Sequence, residues 1–137
     1  MIESAEQFRS LRESEVSDEH HRAAHDAAPL QVWLDTIKRM PEMRFWVAQN
    51  KTVPVDVLQL LADDPDSNVR DMVARKRKLP ESLQLKLTTD PAPSVRNALA
   101  CNSQTTPRVL AALAQDDAKF VRETAQNQIK QRGITKR

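Results

Sequence analysis

Residues 64–89 read DPDSNVRDMVARKRKLPESLQLKLTT and residues 90–115 read DPAPSVRNALACNSQTTPRVLAALAQ. Each stretch opens on Asp-Pro, continues to a Val-Arg pair (Val69-Arg70, Val95-Arg96) and then to an apolar-Ala pair (Val73-Ala74, Leu99-Ala100). Working outward, Met43-Arg44 and Val121-Arg122 fall at the same 26-residue interval, and Val47-Ala48 keeps the same offset. Pro54, Pro80 and Pro107 open a second apolar segment in each copy, and Asp64, Asp90 and Asp117 close it. This register requires the third copy to gain one residue before its Pro and lose one after its Asp. Self-similarity of this kind is the signature of a repeat architecture.

Each copy reads as a short helix, a turn, a second helix begun by Pro, and a turn. Proline suits the first helical turn, where its missing N–H would be unsatisfied in any case. Asp64-Pro65 and Asp90-Pro91 end the second helix, because a residue before proline is driven out of the α region. The apolar positions recur at i, i+3 and i+4 and give each helix one oily stripe that so small an element cannot cover alone. The copies are expected to stack.

Composition agrees. The protein has 137 residues, 39% hydrophobic, 29% charged and 4% aromatic, with one Gly and no Tyr. Ala, Leu, Gln, Arg, Lys and Glu dominate, residues that lose little rotamer freedom in a helix. A lone Gly133 excludes a glycine loop around a phosphate and an Asn-Gly hairpin turn, so an all-α protein of one domain is expected. The single Cys101 excludes an intramolecular disulfide, and it follows an apolar helix where a small buried thiol is expected. Residues 1–28 carry six charged groups by residue 15 and no apolar run, so neither a signal peptide nor a membrane span is read there. A cytoplasmic location is expected.

The spacing of Asp64, Asp90 and Asp117 ahead of Val-Arg resembles HEAT-like repeats, and the Val-Arg-x-x-Val-Ala core is closer still to the leucine-rich-repeat variant. The resemblance spans residues 29–128 and implies a right-handed α-solenoid of about three and a half repeats of 26 residues. The stretches APLQVWLDTIKRMPEMRFWVAQNKTVP and VARKRKLP are also similar to small bacterial helical-repeat proteins, several of them in toxin–immunity systems. Residues 1–28 are expected to form an N-terminal helical cap, 29–132 the repeats, and 133–137 a frayed tail. In the cap, Ser4 should start a helix over 4–14 with Phe8 and Leu11 inward. In the truncated first copy, Leu30, Trp33, Leu34 and Ile37 form the expected stripe.

Candidate sites follow from what the repeats leave unexplained. The Asp and Arg series reads as a structural ladder, Asp receiving backbone N–H groups at helix starts and Arg reaching the Asp of its own or the adjacent copy. His21 and His25, four apart beside His20 and Asp18, could offer two metal ligands but lack a third, so neither a metal nor another cofactor is expected. Cys101 has no nearby His to activate it, which leaves no catalytic set.

The strongest anomaly is Arg75-Lys76-Arg77-Lys78, four cations in the turn where other copies carry Gln49-Asn50-Lys51-Thr52 and Cys101-Asn102-Ser103-Gln104. One or two cations complement a helix C-terminus, but four repel one another and stay exposed, either as a solvated turn or facing an anionic partner, an acidic protein surface or phosphates. Charge is segregated too: residues 1–68 hold 7 basic and 13 acidic side chains, residues 69–137 hold 14 and 6. Such asymmetry steers an oppositely polarised partner. Trp46 lies between Phe45 and Val47; core packing against the cap is expected, the alternative being that Phe45 or Trp46 is partly exposed as a binding anchor.

Two functions compete. One is a non-enzymatic protein-binding module, most concretely an immunity protein that occludes a toxin domain, contacting it through Trp46, Asn50, Lys51, Arg75, Lys76, Arg77, Lys78 and Asn102. The other is nucleic-acid binding through the basic C-terminal half, with Lys130 and Arg132 adding phosphate contacts. A scaffold holding a small ligand on a concave face is the weaker third. No membrane partner is expected, and the protein should be a monomer or a weak dimer.

Overall fold

The computed structural model describes residues 1–134. Among them every regular element is helical: ten α-helices and one 3₁₀ turn, with no strand. Two compact units are present, Met1–Asp63 and Asp64–Arg137. Residues 135–137, part of the expected frayed tail, lie outside the described residues.

The first unit contains α1 (Ala5–Glu13), α2 (Ser17–His25), α3 (Leu30–Arg39), a 3₁₀ turn (Pro41–Met43), α4 (Arg44–Gln49) and α5 (Val55–Leu61). The Ser4 hydroxyl accepts the Gln7 N–H at 3.0 Å and so satisfies one orphan donor of α1. Phe8 and Leu11 are buried, as their spacing requires, and Phe8 meets Trp33 edge to face at 5.2 Å between centroids. α3 turns a different stripe inward from the one expected. Trp33, Thr36 and Met40 are buried, Leu34 and Ile37 are half-buried, and Leu30 is exposed. Thr36 tolerates this position because its hydroxyl donates to the Val32 carbonyl at 2.7 Å, leaving no unmet polar group.

The second unit contains α6 (Ser67–Ala74), α7 (Glu81–Leu87), α8 (Pro93–Cys101), α9 (Pro107–Leu113) and α10 (Lys119–Gln131). α6 packs on α8 and α8 on α10, while α7 packs on α9. Buried positions recur 26 residues apart: Val69, Val95 and Val121; Val73, Leu99 and Ala125; Leu83 and Val109; Leu87 and Leu113. Each Val or Leu so buried contributes about 1.5–3 kcal/mol relative to exposure. Gln84, also buried, ties α7 to α9: its Nε2 donates to the Leu79 carbonyl at 2.8 Å and its Oε1 accepts the Thr106 N–H at 3.0 Å.

The structure corrects the register of the third copy. Pro54 and Pro80 stand at the N-cap in extended conformation, one position before the helix, and the residue 26 further on is Thr106. Thr106 caps α9 by accepting the Val109 N–H, and Pro107 is the first helical residue. A proline is tolerated at either place because neither N–H has an intrahelical partner. The interval therefore holds without an inserted residue.

α10 ends on a left-handed cap. Gly133 adopts φ +67°, its N–H bonds the Lys130 carbonyl, and the Ile134 N–H bonds the Ile129 carbonyl at 3.0 Å. This left-handed cap needs a residue without a Cβ penalty, and the one glycine of the sequence occupies it.

Candidate interaction groove

The Arg and Asp series forms a ladder, and its third carboxylate is Asp116 rather than Asp117. Arg70 donates from Nε to Asp90 Oδ2 at 2.8 Å and from Nη2 to Oδ1 at 3.3 Å, while Nη1 reaches the Asp64 carbonyl at 2.7 Å. Arg96 treats Asp116 in the same way at 2.7 and 3.2 Å. Each carboxylate also receives an N–H two residues on, Ala92 for Asp90 and Ala118 for Asp116. Each Arg thus takes its carboxylate from the following copy and a backbone carbonyl from its own. Burial pushes the Asp116 carboxyl up, but Arg96 and the Ala118 N–H outweigh it and hold the group below the usual carboxylate range.

Asn50 and Asn102, expected at a partner surface, are instead buried. Asn50 Nδ2 donates to the Ala23 and Asp26 carbonyls at 2.8 and 3.0 Å, and Asn102 Nδ2 to the Ala74 and Lys76 carbonyls at 2.9 and 2.8 Å. Their Oδ1 atoms accept the N–H groups of Thr52 and Gln104. Asparagine amides spent on loop backbone in this way close the turns, because buried backbone carbonyls need donors. Arg132 adds to the second turn, donating to the Asn102 and Thr105 carbonyls.

Trp46 and Phe45 are both half-buried, their rings edge to face at 4.8 Å. The Arg12 guanidinium lies 3.5 Å above the Trp46 ring. Lys51 is exposed. These residues belong to the first unit, where His21 and His25 stack at 4.0 Å and His25 Nδ1 is engaged with the His21 carbonyl at 2.9 Å. Among the described residues no three His, Cys, Asp or Glu converge on a metal position.

The second unit carries a groove of about 630 Å³ on the exposed faces of α6, α8 and α10. Asn68, Ser94 and Phe120 occupy one recurring position along it, and Asp71 with Asn97 another. Arg75 and Arg77 stand at its edge. Arg75 is exposed and meets Asp71 at 2.9 Å; Arg77 and Lys78 are exposed with no carboxylate partner among the described residues. Lys76 is half-buried, its carbonyl held by Asn102. Phe120 is 50% exposed.

Cys101 departs from expectation. It is exposed and lines the groove, with Asn97 Nδ2 3.9 Å from its Sγ. Ala98, Leu99 and Ala100 all face the core, and the stripe ends one residue before the thiol. Reading the 26-residue register through the polar positions as well as the apolar ones would have brought Asn68, Ser94 and Asn97 forward as one face. No protein family, curated protein or solved structure matches this sequence.

Proposed function

We propose that the protein is an α-solenoid of short helix pairs that performs no reaction of its own and binds another protein, in its most concrete form as a bacterial cytoplasmic immunity protein that occludes a toxin domain. The observation that supports this reading is the groove across α6, α8 and α10, where Arg77, in the turn after α6, and Phe120, on α10, stand exposed, Arg77 with no carboxylate partner among the described residues. Immunity in particular draws on the sequence resemblance alone. Stacked copies support the solenoid, because Arg70 and Arg96 bridge successive copies with one geometry. Charge at the groove edge speeds capture, and an exposed aromatic anchors it.

Co-expression with the product of the adjacent open reading frame tests the reading. A complex that survives purification in about 0.5 M salt, where exposed charge pairs are screened, and rescue of growth when that product is toxic are the expected results. A neighbour that neither binds nor harms cells overturns it.

A second reading, nucleic-acid binding, is favoured by the exposed pair Arg77 and Lys78, which have no carboxylate to answer them among the described residues. Binding to duplex DNA that falls steeply with salt is its test, since phosphate contacts release counterions.

A further inference from the structure

The groove of the second unit has a mixed chemistry that narrows its occupant. Its edge is cationic: Arg75 is answered by Asp71 at 2.9 Å, but Arg77 and the neighbouring Lys78 repel each other until an external anion arrives. The half of the sequence from residue 69 onward carries 14 basic and 6 acidic groups, so the surrounding field has the same sign. The occupant should carry carboxylates or phosphates.

The floor decides between them. Asn97 Oδ1 is shielded from solvent and accepts no hydrogen bond among the described residues, and Asn97 Nδ2 lies 3.9 Å from the Cys101 Sγ. Rotating this half-buried side chain so that its amide faces the groove would break no strong hydrogen bond among the described residues. An asparagine amide presents one acceptor and two donors, the complement of a backbone carbonyl and N–H. An extended peptide supplies both partners at every residue, whereas a phosphodiester backbone supplies acceptors only and leaves Oδ1 unmet. Phe120, half out in solvent on α10, offers one apolar contact that a peptide side group can cover.

We infer that this groove binds an extended, carboxylate-rich segment of a partner protein, with Arg77 pairing its acidic groups, Asn97 its backbone and Phe120 one apolar residue. The inference rests on the protein-binding reading and specifies its partner.

The test uses the full-length protein and a fluorescein-labelled peptide of about ten residues that alternates Glu with Ser around a central Leu, an extended strand having its side groups on alternate sides. Anisotropy should report saturable binding that weakens about tenfold when salt rises from about 50 to about 300 mM. Arg77→Glu should weaken it about tenfold or more, and Asn97→Ala about threefold with the salt dependence unchanged. Arg77 is exposed in a turn, and an unaltered circular dichroism spectrum confirms that R77E folds. Cys101 is the only thiol in the sequence, so its labelling by a chromogenic disulfide reagent reads groove occupancy directly and should slow about fivefold in saturating peptide. Binding with unchanged Cys101 labelling and no effect of R77E overturns the groove assignment and leaves the protein-binding reading intact. A single-stranded oligonucleotide that protects Cys101 where the peptide does not overturns the peptide class and the protein-binding reading together. Loss of binding to the Gln-for-Glu peptide supports the carboxylate requirement; equal binding to both peptides overturns it.

Discussion

Arg96 grips Asp116 through both edges of its fork, Nε to Oδ2 at 2.7 Å and Nη2 to Oδ1 at 3.2 Å, with the two side chains only 14% and 6% exposed. Bidentate pairing of this kind fixes direction as well as distance, so it sets the position of one copy on the next. Removing one partner of a buried pair is worse than removing both, because the survivor keeps its desolvation cost. Arg96→Ala should therefore lower stability by about 3 kcal/mol or more. Arg108→Ala, whose pair with Glu81 spans 3.5 Å at 74% and 38% exposure, should cost well under about 1 kcal/mol. Urea unfolding midpoints of the two variants check the contrast.

The same carboxylate makes stability depend on acid. Burial opposes ionisation of Asp116, but its bonds to Arg96 and Ala118 prevail and its folded pKa lies below the unfolded value near 3.8. A group with a depressed folded pKa contributes stability above its unfolded pKa and loses it as pH falls through the folded pKa. Unfolding free energy should accordingly be level above about pH 5 and decline below about pH 4. Asp116→Asn should flatten part of that decline while lowering the plateau. A series of urea titrations from about pH 2.5 to about pH 7 measures both.

Asn102 should behave as a structural residue rather than a contact residue. Its amide donates to the carbonyls of Ala74 and Lys76 while its Oδ1 accepts the Gln104 N–H, so alanine strands three backbone groups. A cost of about 1–3 kcal/mol follows for Asn102→Ala. Hydrogen exchange of the Gln104 amide should accelerate in the variant; unchanged protection there would show that this turn is held by something else.

Much of this architecture was legible because packing imposes a period. Val69, Val95 and Val121 are buried for one reason, that the same helix face meets the same kind of neighbour, and a 26-residue interval makes that visible in the letters alone. What could not be read were choices settled by one hydrogen bond. The choice of Asp116 over Asp117 is an exception: the unbroken 26-residue interval from Asp64 and Asp90 falls on Asp116, and it is missed only when Pro107 rather than Thr106 is set in register with Pro80. Asn50 and Asn102 look like solvated turn residues until the unpaired carbonyls beneath them are counted. Thr36 is buried although the expected stripe of Leu30, Trp33, Leu34 and Ile37 left it out, its polarity cancelled within its own helix. Cys101 is exposed because the oily stripe of α8 stops one residue short, a difference smaller than the error in placing a helix end from sequence.

Gly133 offers a check on the C-terminal boundary. At φ +67° an added Cβ would meet no atom within 4 Å, so the cost of Gly133→Ala is conformational and not steric crowding. About 1 kcal/mol is expected from placing a non-glycine residue in the left-handed region. Asn tolerates that region better, and Gly133→Asn should recover part of the loss. Thermal unfolding of the two variants gives the order.

The Arg12 and Trp46 contact accounts for a polar atom that otherwise has no partner. Arg12 Nε is shielded from solvent and makes no hydrogen bond among the described residues, yet the guanidinium lies 3.5 Å above the Trp46 ring. The negative face of the indole offers the cation an attraction that needs no lone pair, worth about 0.5–2 kcal/mol depending on desolvation. Arg12→Met keeps most of the stem that covers the ring and removes the charge, while Trp46→Leu keeps an apolar body and removes the quadrupole. In a double-mutant cycle the two changes should couple by about 0.5–1 kcal/mol. Trp46 fluorescence should also shift to longer wavelength in Arg12→Ala, where the covering stem is gone. A coupling indistinguishable from zero would mean that Arg12 acts on the ring as a hydrophobic lid alone, and its charge would then require another role in the first unit.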